Sequence, residues 1–206
     1  MTSDRAHPSE ELNPGAETPP RVAASVIVLR DSAVGPEVLL VQRNPAARFM
    51  GGAWVFPGGA VDDGEVVEQT ALRELDEEAA ITVASASELV PFSRWITPAQ
   101  VKIRFDTWFF VVRAPADSEP AVDGAECVDL CWITPKDALA KGADGQLELV
   151  FPTIKHLEQL AKFESVQHTI DTALRRDVVA VQPRIVDRGE GLRVLLPGEP
   201  GFDDPA

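Results

Sequence analysis

Cysteine is scarce in this chain, two in 206 residues, and basic residues are outnumbered 19 to 33 by acidic ones, leaving a formal charge of −14. Long apolar runs are missing too: the longest candidate, Val22 to Leu29, is strand-length, far short of the ~18 residues a membrane helix needs. Each shortage excludes something. A surface this acidic repels polyanions, so nucleic acid and anionic membranes are disfavoured as partners, while a small anion stays acceptable where bound cations or local basic residues reverse the sign. Cys127 and Cys131 fall in a run that reads as a strand, where four residues span ~13 Å, too far for a disulfide. They are expected as free thiols, and the first 20 residues carry no basic start followed by an apolar stretch, so the expected location is cytoplasmic. No Walker-type GK[ST] and no Ser/His/Asp arrangement is present.

What is present is an ordinary globular composition, 45% apolar and 25% charged, in a length suited to one domain that buries about 70% of its unfolded surface. Residues 1–20, with four prolines, read as a disordered tail. Residues 21–197 read as a single domain with C-terminal helices from about 148, and 198–206 as a second loose tail. Val26–Leu29 and Val38–Val41, separated by turn residues 31–36, predict a hairpin. A Gly-rich loop over 51–59 leads into a helix over Glu65–Ala79, which holds no Gly or Pro. Strands follow over 89–96, 105–112 and 126–133, then a short helix that starts at Thr134-Pro135, helices over 152–163 and 165–175, and a closing strand pair over 181–186 and 192–196. The fold class is α/β, one mixed sheet with helices packed on it.

The first helix carries the chemistry. Glu65, Glu68, Glu74, Asp76, Glu77 and Glu78 crowd around one base, Arg73. Like charges three or four apart cost about 0.2–0.5 kcal/mol per pair, and carboxylates in the last turn oppose the helix dipole. Glu74, Glu77 and Glu78 fall within about 100° of arc while Leu72, Leu75 and Ala79 point to a core. A hard divalent cation, Mg²⁺ or Mn²⁺, would convert that repulsion into coordination. The competing reading is a solvated acidic face.

Gly59, five residues, Glu65, seven residues, then Arg73-Glu74-Leu75-Asp76-Glu77-Glu78-Ala79-Ala80-Ile81 resembles the signature of the Nudix hydrolases at every position except Ala80, where the family usually has Gly. The resemblance implies a Nudix fold, a mixed sheet sandwiched between helices. It also implies Mg²⁺- or Mn²⁺-dependent hydrolysis of a nucleoside diphosphate linked to another moiety. Carried over, Glu74, Glu77 and Glu78 match the metal ligands, Arg73, Glu74 and Glu77 the catalytic group, and Gly59 with Glu65 the residues that orient the motif. Phe49–Gly59, Ile96-Thr97-Pro98, Arg104-Phe105-Asp106-Thr107 and Phe151-Pro152-Thr153 are similar to the Nudix branch containing the mammalian peroxisomal coenzyme A diphosphatase. Coenzyme A or acyl-CoA is the substrate this branch implies; ADP-ribose, NADH, nucleoside triphosphates and a non-catalytic ligand-sensing module are the alternatives.

Glu126 is the candidate base, in a strand where alternation groups it with Val128, Leu130 and Trp132 and groups Asp129 with the cysteines. Arg43, Arg48 and Arg104 are candidates for substrate phosphates, each with a surface ion pair as its alternative. Trp54, like Phe49, is a candidate for stacking on a base, with core packing as its alternative. His156 and His168 receive no role. The expected partner is a small nucleotide, and a homodimer stays open.

Overall fold

The computed structural model describes residues 12–13, 17–187 and 192–203. Its elements in chain order are β1 (Arg21–Ser32), β2 (Gly35–Arg43), β3 (Trp54–Val55), β4 (Gly58–Ala60), α1 (Val67–Ala79), β5 (Val90–Ile96), β6 (Phe105–Arg113), β7 (Cys127–Ile133), α2 (Pro135–Ala143), α3 (Phe151–Leu160), α4 (Val166–Ala173), β8 (Ala180–Val181), β9 (Arg184–Asp187) and β10 (Leu192–Leu195). The main sheet runs β3-β2-β1-β6-β5-β8, with β4 joined to β1 and β7 to β2, and β9 with β10 forms a separate antiparallel ribbon. The β1–β6 and β5–β8 pairs are parallel and the other pairs antiparallel, so the sheet is mixed, as expected.

Strand alternation divides the core into two layers. Ile27, Leu29, Phe109 and Val111 face Ala138 of α2, Leu157 and Leu160 of α3, and Val166 and Ala173 of α4. Ala24, Val26, Val28, Phe110 and Val112 face Ala71, Leu75 and Ala79 of α1. The sheet is thus sandwiched between helices.

The last β1–β2 partners toward the core are Leu29 and Val38; beyond them β1 takes Gly58–Ala60 as its neighbour, with Ala24 opposite Gly59. This replacement needs glycine. A Cβ on Gly58 would overlap the Ala24 carbonyl oxygen, and one on Gly59 would overlap the Glu74 carboxylate.

Several boundaries differ from expectation. α1 begins at Val67, not Glu65, because Glu65 is spent in the preceding turn, accepting from the Asp62 amide and the Thr70 hydroxyl. α3 stops at Leu160, where the Lys162 and Phe163 amides tighten onto Gln159 and Leu160. Val181, expected in the closing pair, pairs with Trp95 of the main sheet. In β7 a register shift opposite Gln42 and Arg43 breaks simple alternation: Cys127 packs with Leu130 and Trp132 on the α1 side, and Cys131 on the other. Glu126 and Asp129 therefore do not group as strict alternation requires. Both cysteines are free.

Of the expected N-terminal tail, residues 1–11 and 14–16 lie outside the described residues; in the remainder, Leu12 bridges Val101 and the Thr18 hydroxyl donates to Lys102 O. Of the expected C-terminal tail, residues 204–206 lie outside them, and Phe202 O accepts from Arg184 Nη1. Among the described residues no helix is long and apolar enough to cross a membrane.

Candidate functional site

The guanidinium of Arg73 organises the acidic end of the site. Its Nε donates to Glu65 Oε1 at 2.9 Å and its Nη2 to Glu65 Oε2 at 3.0 Å, a two-pronged pair, while Nη1 reaches Glu74 at 2.7 Å and Glu77 at 3.0 Å. Such charge-assisted bonds to a planar fork fix orientation as well as charge. The Arg73 bonds, helped by the Thr70 hydroxyl, hold the Glu65 carboxyl down at about 2, and Arg73 in turn is raised above its usual value.

Glu74 and Glu78 are different. Both are buried, Glu78 to 3% exposure, and burial raises both pKa values. Glu78 is pushed up to about 7 despite the Gly58 amide, which donates to its Oε2 at 2.8 Å, and the nearby Arg43 charge. Glu74 repels Glu78, and Glu77 and Glu126 repel Glu74. Glu74 is thus electrostatically coupled to Glu77, Glu78 and Glu126. Holding all four ionised there costs free energy that a cation would recover.

Glu77 does not turn inward with the other two. Its side chain is 59% exposed and tied to Arg73, and among the described residues no three acidic, histidine or cysteine side chains are gathered closely enough to hold a cation as they stand. The donor chemistry nonetheless fits a hard cation: carboxylate oxygens in a half-buried, mutually repelling group, with Arg73 unable to compete for metal.

Glu74 and Glu126 open onto a cleft of about 350 Å³. Glu74, Glu126, Arg43, Gly58 and Gly59 line one part; Arg21, Phe49, Met50, Thr97, Phe105 and Thr107 line another, with Pro152 and Thr153 of α3 as a wall. Arg43 lines the cleft, and its Nε donates to Phe49 O at 3.3 Å. The other three substrate candidates are placed elsewhere. Trp54 is buried in the core beside Leu40 and Phe56, because β3 pairs it with Gln42 and turns the ring inward. The Arg104 side chain is 2% exposed and donates to Thr97 O, Thr18 O and Glu17, tying the N-terminal segment to the 97–104 loop. Arg48 is exposed and does not line the cleft. The β1 and β6 residues that make the floor were not singled out as site residues from the sequence, although alternation along two paired strands marks them.

The matching comparison falls on this same framework: residues 19–152 match the NUDIX domain family. The chain belongs to the Nudix family. A solved NUDIX hydrolase from Alicyclobacillus acidocaldarius superposes with a TM-score of 0.67 at 26% identity, covering 75% of this chain and 96% of that one. A Caenorhabditis elegans protein, provisionally named nudix hydrolase 7, is 28% identical over 69% of this chain and 61% of its own length. The 8-oxo-dGTP diphosphatase of Proteus vulgaris is 43% identical over 33% of this chain and 56% of its own. The chain spans 61% and 56% of the lengths of these two curated relatives. Nudix hydrolases generally use divalent metal ions, and the acidic end of the Nudix cleft here is chemically suited to one.

Proposed function

We propose that this Nudix protein is a divalent-metal-dependent pyrophosphohydrolase that cleaves the diphosphate linkage of a nucleoside diphosphate derivative. One observation carries the reading: two buried carboxylates, Glu74 and Glu78, lie where the Gly58-Gly59 backbone meets the cleft, and Arg73 clamps the neighbouring acids. Glu74 and Glu78, with Glu77 after release from Arg73, would hold Mg²⁺ or Mn²⁺. Bound there, the cation supplies neutralisation of the diphosphate oxygens and acidification of water.

The remaining work belongs to the chain. Arg73 keeps Glu65 and Glu74 in fixed orientations, Arg43 offers its remaining N–H groups to a phosphate oxygen, and Glu126 at the cleft edge accepts the proton of the attacking water. Coenzyme A or acyl-CoA is the finer proposal, supported by the likeness of Phe49–Gly59 and Arg104–Thr107 to that branch; Arg48 and Arg104, given their placement, do not support it. Two arms test the proposal. A hydrolysis screen of coenzyme A, NADH, ADP-ribose, diadenosine polyphosphates and nucleoside triphosphates with Mg²⁺ or Mn²⁺ identifies the substrate, and Glu78→Gln is then assayed on it. The expected loss is more than about 100-fold, exceeding the effect of removing an outer-shell partner. Full activity of that variant overturns the metal-site assignment, and no turnover on any diphosphate favours a ligand-sensing module.

A further inference from the structure

We infer that Arg21 and the Thr97 hydroxyl form an anion subsite at the end of the cleft away from Glu74 and Glu126, built for a phosphate monoester on the ribose of the substrate, separate from the diphosphate. The inference rests on the hydrolase reading above for the identity of the ligand. It starts from a cation without a partner. Five arginines stand on the main sheet: Arg30 bonds Glu37, Arg43 bonds Phe49 O, Arg94 bonds Asp106 and Arg113 bonds Asp31. Among the described residues the guanidinium of the fifth, Arg21, has no hydrogen-bond or ion-pair partner, although it is exposed and lines the cleft.

The acids next to it are spent elsewhere. Asp106, opposite Val22, closes a two-pronged pair with Arg94 at 2.8 and 2.7 Å, and Glu17, four residues before Arg21, is held by Arg104. Arg104 also fixes the Arg21 backbone, its carbonyl accepting from the Arg21 amide at 3.0 Å. In a chain carrying 14 excess negative charges, a cation with its neighbouring acids withdrawn gives a small anion a local field of the right sign.

Strand pairing supplies the second donor. Arg21 lies beside Phe105 in the parallel β1–β6 pair, and Thr97, just past β5, lies on the other side of it. The Thr97 amide donates to Phe105 O at 2.9 Å, and the Thr97 hydroxyl accepts from the Phe105 amide at 3.0 Å. Residues paired across strands share a face, and all three line the cleft. The bond from Phe105 occupies one lone pair of the hydroxyl and leaves its proton to donate. A guanidinium fork, which suits phosphate oxygens, and a hydroxyl donor thus flank an uncharged ring.

The span sets which phosphate this is. Gly59, against the Glu74 carboxylate, lies opposite Ala24, three residues along β1 from Arg21. One strand spacing across and three residues along come to about 11 Å between backbones, shortened by the reach of the arginine. That gap is too long for a neighbouring phosphate of the same chain of anhydrides held at the carboxylates, and it accommodates a ribose. A phosphate on the 2′- or 3′-hydroxyl of that ribose comes within reach of the fork.

The test measures kcat and KM of wild type, Arg21→Gln and Arg21→Lys on two matched pairs, coenzyme A against dephospho-coenzyme A for the 3′-phosphate and NADPH against NADH for the 2′-phosphate. Wild type is expected to prefer the phosphorylated member of one pair by about 10- to 150-fold in kcat/KM, mostly through KM, and the pair that shows it identifies the position of the phosphate. Arg21→Gln should remove that preference, with a much smaller loss on the unphosphorylated member, and Arg21→Lys, which keeps the charge without the fork, should retain part of it. The preference should also shrink as NaCl is raised. Calorimetry in EDTA with adenosine 3′,5′-bisphosphate, adenosine 2′,5′-bisphosphate and AMP reads the same contrast without turnover. Equal kcat/KM within both pairs, or a preference that survives in Arg21→Gln, overturns the subsite and leaves the hydrolase reading standing. Binding of a bisphosphate that depends on Arg21, in a protein that hydrolyses no diphosphate, would instead keep the subsite and overturn the hydrolase reading.

Discussion

Ala80 occupies the end of α1 at φ 51° and ψ 36°, with its amide donating to Asp76 O and the Ile81 amide to Leu75 O. The left-handed residue that ends a helix this way is usually Gly, and Ala enters the region at a cost of roughly 1–2 kcal/mol. Ala80→Gly should therefore raise unfolding free energy by about 1 kcal/mol and Tm by about 2–4 °C, read by thermal unfolding. Lower stability would mean that packing at Ala80 outweighs its backbone strain. Gly59 makes the opposite demand, since a methyl group there occupies the space of the Glu74 carboxylate. Gly59→Ala is expected to lose more than about 100-fold in activity, by displacing a carboxylate of the proposed metal site, while keeping its far-UV circular dichroism. Normal turnover in that variant would remove Glu74 from the site. Both expectations start from single residues whose spacing stood out in the sequence, because fixed helix periodicity converts spacing into position.

At the level of elements, legibility depended on how local the determinants were. α1 and the strands β5 and β6 could be read from composition and breakers, and the shared face of Glu74, Glu77 and Glu78 from the helical period, although Glu77 is held outward by Arg73, whose part came only from the family resemblance. Trp54 and Arg104 could not be placed, because one is turned inward by its cross-strand partner and the other is enclosed by Glu17 and Thr97, contacts distant in sequence. His156 on α3 was equally opaque. It is 1% exposed, surrounded by Phe56, Phe92, Trp95 and Phe109, with Nδ1 against Pro152 O and Nε2 against Ser93 Oγ, each at 2.6 Å. Burial lowers its pKa from 6.5 to about 4. A histidine lowered in the folded state gives stability that is complete above 6.5 and lost as pH falls toward 4, because only the unfolded chain takes the proton easily. Glu78, raised to about 7, has the opposite sign over much of the same window. In a Glu78→Gln background with EDTA, unfolding free energy should fall by about 2 kcal/mol from pH 7 to 4.5, and adding His156→Gln should flatten that slope. Parallel slopes with and without His156 would refute the assignment.

Across the whole molecule the excess of 14 negative charges makes added cations a stabiliser in two ways, through general screening and through the acidic end of the cleft. They separate experimentally. Mg²⁺ at about 100 times its Kd should add about 2.7 kcal/mol, an EDTA-reversible rise in Tm that Glu78→Gln removes, whereas screening by NaCl persists in the variant. Equal responses to Mg²⁺ in both proteins would show screening alone.

The parallel pairing of β1 with β6 also sets an order of events during synthesis. The hairpin of β1 and β2 closes through a short turn, but Arg21 meets Phe105 only after the whole of residues 22–104 has been made, and that closure carries the larger entropy cost. A ribosome-bound chain ending before Phe105 therefore has the carboxylate-bearing segment and only the β1 part of the floor beneath the cleft. Glu65, Glu74, Glu77 and Glu78 are present, yet Glu126 is not, and the geometry that gives them a common target waits for the second half of the sheet.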